Sequence, residues 1–267
     1  MSSSSTPPRD IGDALLWGLP VHAIEAALGS ADGNEIGSGK LFSPQSSAAL
    51  AINAFGVFID RPGALPSLPG TEDLGWPATS VRIEAPLPFP WHRGRKPNLD
   101  ILIETATGLI GVESKRFEPF DTHGAPSWSD TYWSVDWTPD LARHALMRDA
   151  SRAGEAGFVH IEEAQLVKHA LGLATATAPG QAAGGKTPWL VHLRAEPEVD
   201  RRGRPLDTDK HARHGAEVAR YGAAVAGDRV RFVGVTYAEL LSVWQRSEVP
   251  QLRAHAAAIR AFFGSAI

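Results

Sequence analysis

Residues 97–104 and 109–115 hold two short runs of strand-forming residues, with Leu99, Ile101 and Ile103 alternating against Asp100, Leu102 and Glu104 in the first, and Ile and Val filling the second. Between them Thr105, Ala106, Thr107 and Gly108 supply turn chemistry, so the pattern predicts a β-hairpin. A four-residue turn there closes on Glu104 opposite Leu109 and sets Asp100 opposite Glu113. Side chains two apart in a strand share a face, which puts Lys115 on the same side as Glu113.

Helical periodicity appears on both sides of this hairpin. Residues 10–28 read as a short amphipathic helix broken at Pro20, and a second helix is expected from Ser43, as N-cap ahead of Pro44, to about Phe58. Residues 61–90 are rich in proline and glycine, interrupted by Val81-Arg82-Ile83-Glu84, a strand-like alternation whose Glu84 reads as a strand-end surface acid or a third carboxylate near the hairpin. Helices are predicted over 140–154, 161–173, 207–226, 237–244 and 252–263, and buried strands over 189–194 and 230–235. Helix, three antiparallel strands, helix and two further strands make an α/β fold, a central mixed sheet flanked by helices. The expected organisation is one domain over 1–267, with a disordered tail at 1–9, a core at 35–195, and a C-terminal strand and helices at 196–267 completing it.

Composition narrows the function classes. The chain has 267 residues, 43% hydrophobic and 21% charged, ordinary for a soluble globule. It contains no cysteine, which excludes disulfides, thiolate zinc sites and a cysteine nucleophile. No membrane-spanning run and no signal peptide is legible, so a cytoplasmic location is expected. A net charge of −4 speaks against indiscriminate nucleic-acid binding, yet two basic clusters stand out, Arg93, Arg95 and Lys96 before the hairpin and Arg201-Arg202-Gly203-Arg204 later. Either suits phosphate neutralisation or a solvated loop. Trp128, Tyr132, Trp133 and Trp137 crowd one segment, as a stacking platform for bases or as a loop folded over the core. Gly37-Ser38-Gly39-Lys40 is not a phosphate loop, because Asn34 and Leu41 break that pattern. His211, His214 and Glu217 are zinc-ligand types without the spacing of an H-E-x-x-H helix.

Opposed carboxylates repel, and a hard divalent cation relieves that repulsion, since Mg²⁺ is commonly held by one or two carboxylates together with water and phosphate oxygens. Pro97-Asn98-Leu99-Asp100 followed by Glu113-Ser114-Lys115 resembles the PD-(D/E)XK nuclease signature, with Asn98 interposed. More narrowly, the chain resembles a bacterial family of restriction-endonuclease-like proteins through the hairpin, through residues 46–56 and through Gln165-Leu166-Val167-Lys168-His169-Ala170-Leu171-Gly172.

That resemblance implies a restriction-endonuclease-like core and a Mg²⁺- or Mn²⁺-dependent phosphodiesterase acting on DNA, as a homodimer if both strands are cut. Asp100 and Glu113 would hold the metal, with Glu35 a looser third ligand. Lys115 would position the attacking water, and Gln165 and Lys168 would support the scissile phosphate. Arg93, Arg95, Lys96 and Trp133 are the candidate DNA contacts. The rival readings are a non-catalytic binding module that uses the tryptophan segment and basic loops, with the hairpin acids merely solvated, and, without a supporting motif, a carbohydrate-active enzyme using Glu84 and Glu113.

Overall fold

The computed structural model describes residues 10–30, 37, 39–43, 45–92, 97–121, 124–264 and 267. Five strands, β1 (Ser80–Pro86), β2 (Asn98–Glu104), β3 (Gly108–Lys115), β4 (Thr187–Arg194) and β5 (Arg231–Thr236), lie side by side in sequence order. The first three run antiparallel and β3, β4 and β5 are parallel, so the expected mixed sheet is present. The hairpin has the register read from its alternation, Glu104 opposite Leu109 and Ile101 opposite Val112. Continued by one step, it brings Asp100 across from Glu113.

Among the described residues seven α-helices cover the sheet: α1 (Val21–Ser30), α2 (Ser47–Phe55), α3 (Thr138–Ala153), α4 (Glu163–Ala176), α5 (Thr208–Val225), α6 (Tyr237–Gln245) and α7 (Pro250–Phe263). α1, α2, α6 and α7 pack with Ile101, Ile103, Ile110, Val112 and Val235 in one core. α3, α4 and α5 pack with Leu102, Leu109 and Leu190 in the other. Strict alternation along β3 therefore sends Ile110, Val112 and Ser114 toward α2 and α6, and Leu109, Gly111, Glu113 and Lys115 toward α4.

Glycine sets how close α4 can come. A Cβ on Gly111 would lie 2.5 Å from Leu99 Cδ1 and 3.1 Å from Leu173 Cδ1, and one on Gly172 would lie 2.8 Å from Leu87 Cδ1. Both are closer than side-chain atoms pack, so the bare backbone at these two points is what lets the helix settle against the sheet.

Alternation fails at one place. Ala85 and Leu99 pack into the α4-side core, although Ile83 and Ile101, two residues away in the same strands, pack into the other. The reversal falls across Glu84 and Asp100, and Glu84 has a left-handed φ of 45°. A glutamate in that region of φ is strained, and such bulge-like irregularities cluster beside functional sites.

Two expected helix boundaries are corrected. Residues 10–28 are not one helix: a 3-10 turn at Ile11–Ala14 gives way to extended backbone at Leu15, and α1 starts at Val21, after Pro20. The fully buried Asn53 side chain substitutes for helical bonds there, accepting from Leu16 N at 2.7 Å and donating to Ala14 O at 3.1 Å. Ser43 is not the cap of α2 either, because its N–H closes the preceding turn on Lys40 O. Ser46 caps instead, its Oγ accepting from Ala49 N at 3.2 Å. Among the described residues no helix is long and apolar enough to cross a membrane.

Candidate active site

The hairpin acids meet where β2 and β3 part. Asp100 does not continue the backbone ladder; its Oδ2 accepts the Ser114 N–H at 2.6 Å, so a side chain takes the place of the next strand bond. Ser114 itself faces the other core, where its hydroxyl pairs with Tyr237 Oη at 2.8 Å. Burial raises Asp100 well above the usual carboxylate range, and the neighbouring charges of Glu113 and Glu84 push it further in the same direction. Glu84 is buried within β1 rather than a surface acid at a strand end, and its charge reaches Asp100.

Glu113 is only 3% exposed. Burial alone would raise its pKa, but Lys115 and His169 hold it down to about 2. Lys115 Nζ stands 3.0 Å from Oε1 of Glu113, and His169 Nε2, on α4, stands 2.8 Å from Oε2. The ammonium has two more acceptors, Glu162 Oε2 at 2.6 Å and Gln165 Oε1 at 2.7 Å. An ammonium carries three N–H groups, so Lys115 is saturated. Although burial disfavours its charge, Glu113 and Glu162 raise its pKa above the ordinary lysine value.

The hairpin thus brings Asp100, Glu113 and Lys115 together as expected, and α4 adds Gln165. Lys168, one flank further round, lies apart from them: its Nζ donates to Ser127 O at 2.6 Å and sits 4.8 Å from the centre of the Trp128 ring. Sequence reasoning missed Glu162 and did not assign His169 a partner. The spacing of Gln165 and His169, four apart on one helical face, was the available signal for the latter. Glu162 precedes the helix and carried none.

The surrounding candidates fare differently. Glu35, Arg93, Arg95 and Lys96 lie outside the described residues. Trp133 is half-buried; its indole N–H donates to Asp149 at 2.8 Å, and Arg148 and Arg152 stack on its ring at 4.7 and 4.1 Å. With Trp128, Tyr132 and Trp137 it forms a layer folded over the α3–α4 core. Two arginines of the second basic cluster are ion-paired internally, Arg201 with Asp121 and Glu118 and Arg204 with Asp200. Glu217 accepts the backbone N–H groups of Val159, His160 and Ile161, and His214 faces His192, Nε2 to Nε2 at 3.3 Å. Burial keeps both imidazoles neutral, His192 down to about 3 and His214 to about 2, and among the described residues no group of three or more His, Asp or Glu is arranged to hold a metal ion.

A family model for restriction endonucleases associating with ARP matches residues 21–261. The chain belongs to this family. The match runs from the first residue of α1 into α7 and takes in all five strands. In this restriction endonuclease family member the mixed sheet with helices on both faces is the scaffold on which Asp100, Glu113 and Lys115 converge. No curated protein and no solved structure matches the chain.

Proposed function

We propose that this protein is a divalent-metal-dependent DNA phosphodiesterase, an endonuclease whose working residues are Asp100, Glu113 and Lys115. The observation that carries the reading is a buried acid pair at the end of a hairpin with an ammonium 3.0 Å from one of its oxygens. The donor set suits Mg²⁺ or Mn²⁺: hard carboxylate oxygens, two of which are enough when water and phosphate oxygens complete the shell. Asp100 and Glu113 would hold the ion, with Glu84 close enough to shift the titration of Asp100. Bound there, the cation supplies Lewis-acid stabilisation of charge developing on the phosphate and eases deprotonation of the attacking water.

The chain's own groups do the rest. Ser114 N–H fixes one Asp100 oxygen, and His169 fixes one Glu113 oxygen, so neither carboxylate is free to swing. Of the three Lys115 contacts, the one to Glu113 is the contact that yields when that carboxylate takes up a cation. Glu162 and Gln165 then hold two N–H bonds and leave the third to donate to a phosphate oxygen or to orient the water. The family's description also names association with ARP, and this chain is proposed to work alongside such a partner.

Asp100→Ala and Lys115→Ala are each expected to abolish Mg²⁺-dependent nicking of plasmid DNA, about 10²-fold or more below wild type if each group stabilises the transition state. Activity retained in both variants removes the assignment and leaves the rival, a non-catalytic binding module. A binding module would also show no rise in melting temperature on Mn²⁺ titration.

A further inference from the structure

A cleft of about 890 Å³ opens beside Lys115, between residues 119–121 and 124–127 on one side and the start of α4 on the other. Two of its wall residues, Glu162 and Gln165, are the residues that hold Lys115 Nζ, so the cleft begins where the reacting phosphate would sit. Phe120, Phe158 and His160 supply aromatic wall further in. Phe120 is held edge-on by His211 at 4.8 Å, and Phe158 is backed by the Arg220 guanidinium at 4.0 Å, so both rings have fixed places.

The charge of this cleft is not what its composition suggests. Among its acids, Glu162 is bound to Lys115 and Asp121 to Arg201 at 2.8 Å, while Glu163 is buried and accepts from Ser151 Oγ. Its lysines, Lys168 and Lys210, have no ion-pair partner among the described residues, and the acceptor found for Lys168 is a neutral carbonyl. What remains is aromatic wall plus two lysines, Lys168 held against the Trp128 ring and Lys210 without an ion pair among the described residues, the complement of a planar base attached to a phosphate.

We infer that this cleft receives one unpaired nucleotide next to the scissile phosphate, so that the enzyme acts on extrahelical or single-stranded positions in DNA. The inference rests on the nuclease reading for the position of that phosphate. Size separates it from duplex recognition: clefts of about 300–1,000 Å³ enclose single small ligands, whereas a duplex, with a major groove alone about 12 Å wide, is gripped across a surface. Enzymes that work inside a duplex bring the target nucleotide out of the stack, at least cost where it is already unpaired.

The test measures binding and cutting separately. Fluorescence anisotropy in EDTA, at one fixed salt concentration, compares a fully paired oligonucleotide duplex with the same duplex carrying one unpaired 2-aminopurine. The unpaired probe is expected to bind about tenfold tighter, and Phe120→Ala to lose about fivefold or more of that preference, the usual scale of one base–aromatic stack. Lys210→Ser, which removes a charge rather than packing, is the second variant and is expected to erode the preference as well. Equal affinity for the two probes, or a preference that survives both substitutions, overturns the inference. Preference without any Mg²⁺- or Mn²⁺-dependent cleavage sinks the nuclease reading and keeps the cleft as a nucleotide site; cleavage without preference does the reverse.

Discussion

Asp100→Asn is expected to make the metal-free protein more stable while destroying its activity. In an unfolded chain the Asp100 carboxyl titrates at about 3.9, but in the folded protein burial and the charges of Glu113 and Glu84 place it well above that value. The native state therefore binds this proton more tightly than the unfolded state does. The stability it contributes is complete below about pH 4 and is lost as pH rises through the folded-state value.

Each unit of displacement is worth about 1.4 kcal/mol. Asparagine keeps an oxygen for the Ser114 N–H, now as a neutral acceptor, at a cost of about 0.5–1.5 kcal/mol. The balance favours the variant near neutral pH, where it should melt at a higher temperature than wild type. Differential scanning calorimetry in EDTA over a pH series reads this directly: the advantage should grow with pH and vanish below about pH 4. Added Mn²⁺ should reverse the order, since wild type gains about 2.7 kcal/mol at a hundredfold excess over Kd and the variant lacks one ligand. A variant no more stable than wild type in EDTA, or an advantage undiminished in acid, refutes the account of the acid cluster.

Two further substitutions probe, in turn, the support of Glu113 and the anchoring of the N-terminal segment. His169→Gln removes one of the two groups that hold Glu113 near 2. Glu113 contributes stability above its unfolded pKa and loses it as pH falls toward the folded value, so the variant should unfold at a higher pH on acid titration by circular dichroism and be about 1–3 kcal/mol weaker at neutrality; an unchanged acid midpoint contradicts the pairing. Asn53→Leu leaves the Leu16 N–H and Ala14 carbonyl without their side-chain partner and should cost roughly 2–4 kcal/mol in urea unfolding. A loss under about 0.5 kcal/mol would mean that the N-terminal segment is held by packing alone.

The hairpin was legible because its information is local: strand period, turn residues and register all lie within residues 97–115, and Glu104 stands opposite Leu109 as the spacing required. The strand and helix order followed for the same reason. What the sequence hid depends on how α4 crosses the sheet. Glu162 and His169 reach Lys115 and Glu113 from some fifty residues away, and no pattern within α4 states which strand residue it will face. Glu84 read as a surface acid because a four-residue alternation does not reveal that the strand reverses its faces at that point. Arg201 looked available for DNA because its internal partners, Asp121 and Glu118, are distant in sequence; the tryptophan segment lies over the core, as one of the two readings of its density had it.

Gly111 has a consequence for how such a site can change over time. The imidazole of His169 reaches Glu113 only at the depth to which α4 sinks, and that depth is limited by the hydrogen atom standing in for a side chain at position 111. Even one methyl group there would press on Leu99 and Leu173 and lever the helix outward, parting a bond to a carboxylate two positions along the strand. A residue with no functional group of its own would then be as intolerant of replacement as the acids, and inactivating substitutions at 111 would pass for catalytic ones unless the geometry beneath α4 were known.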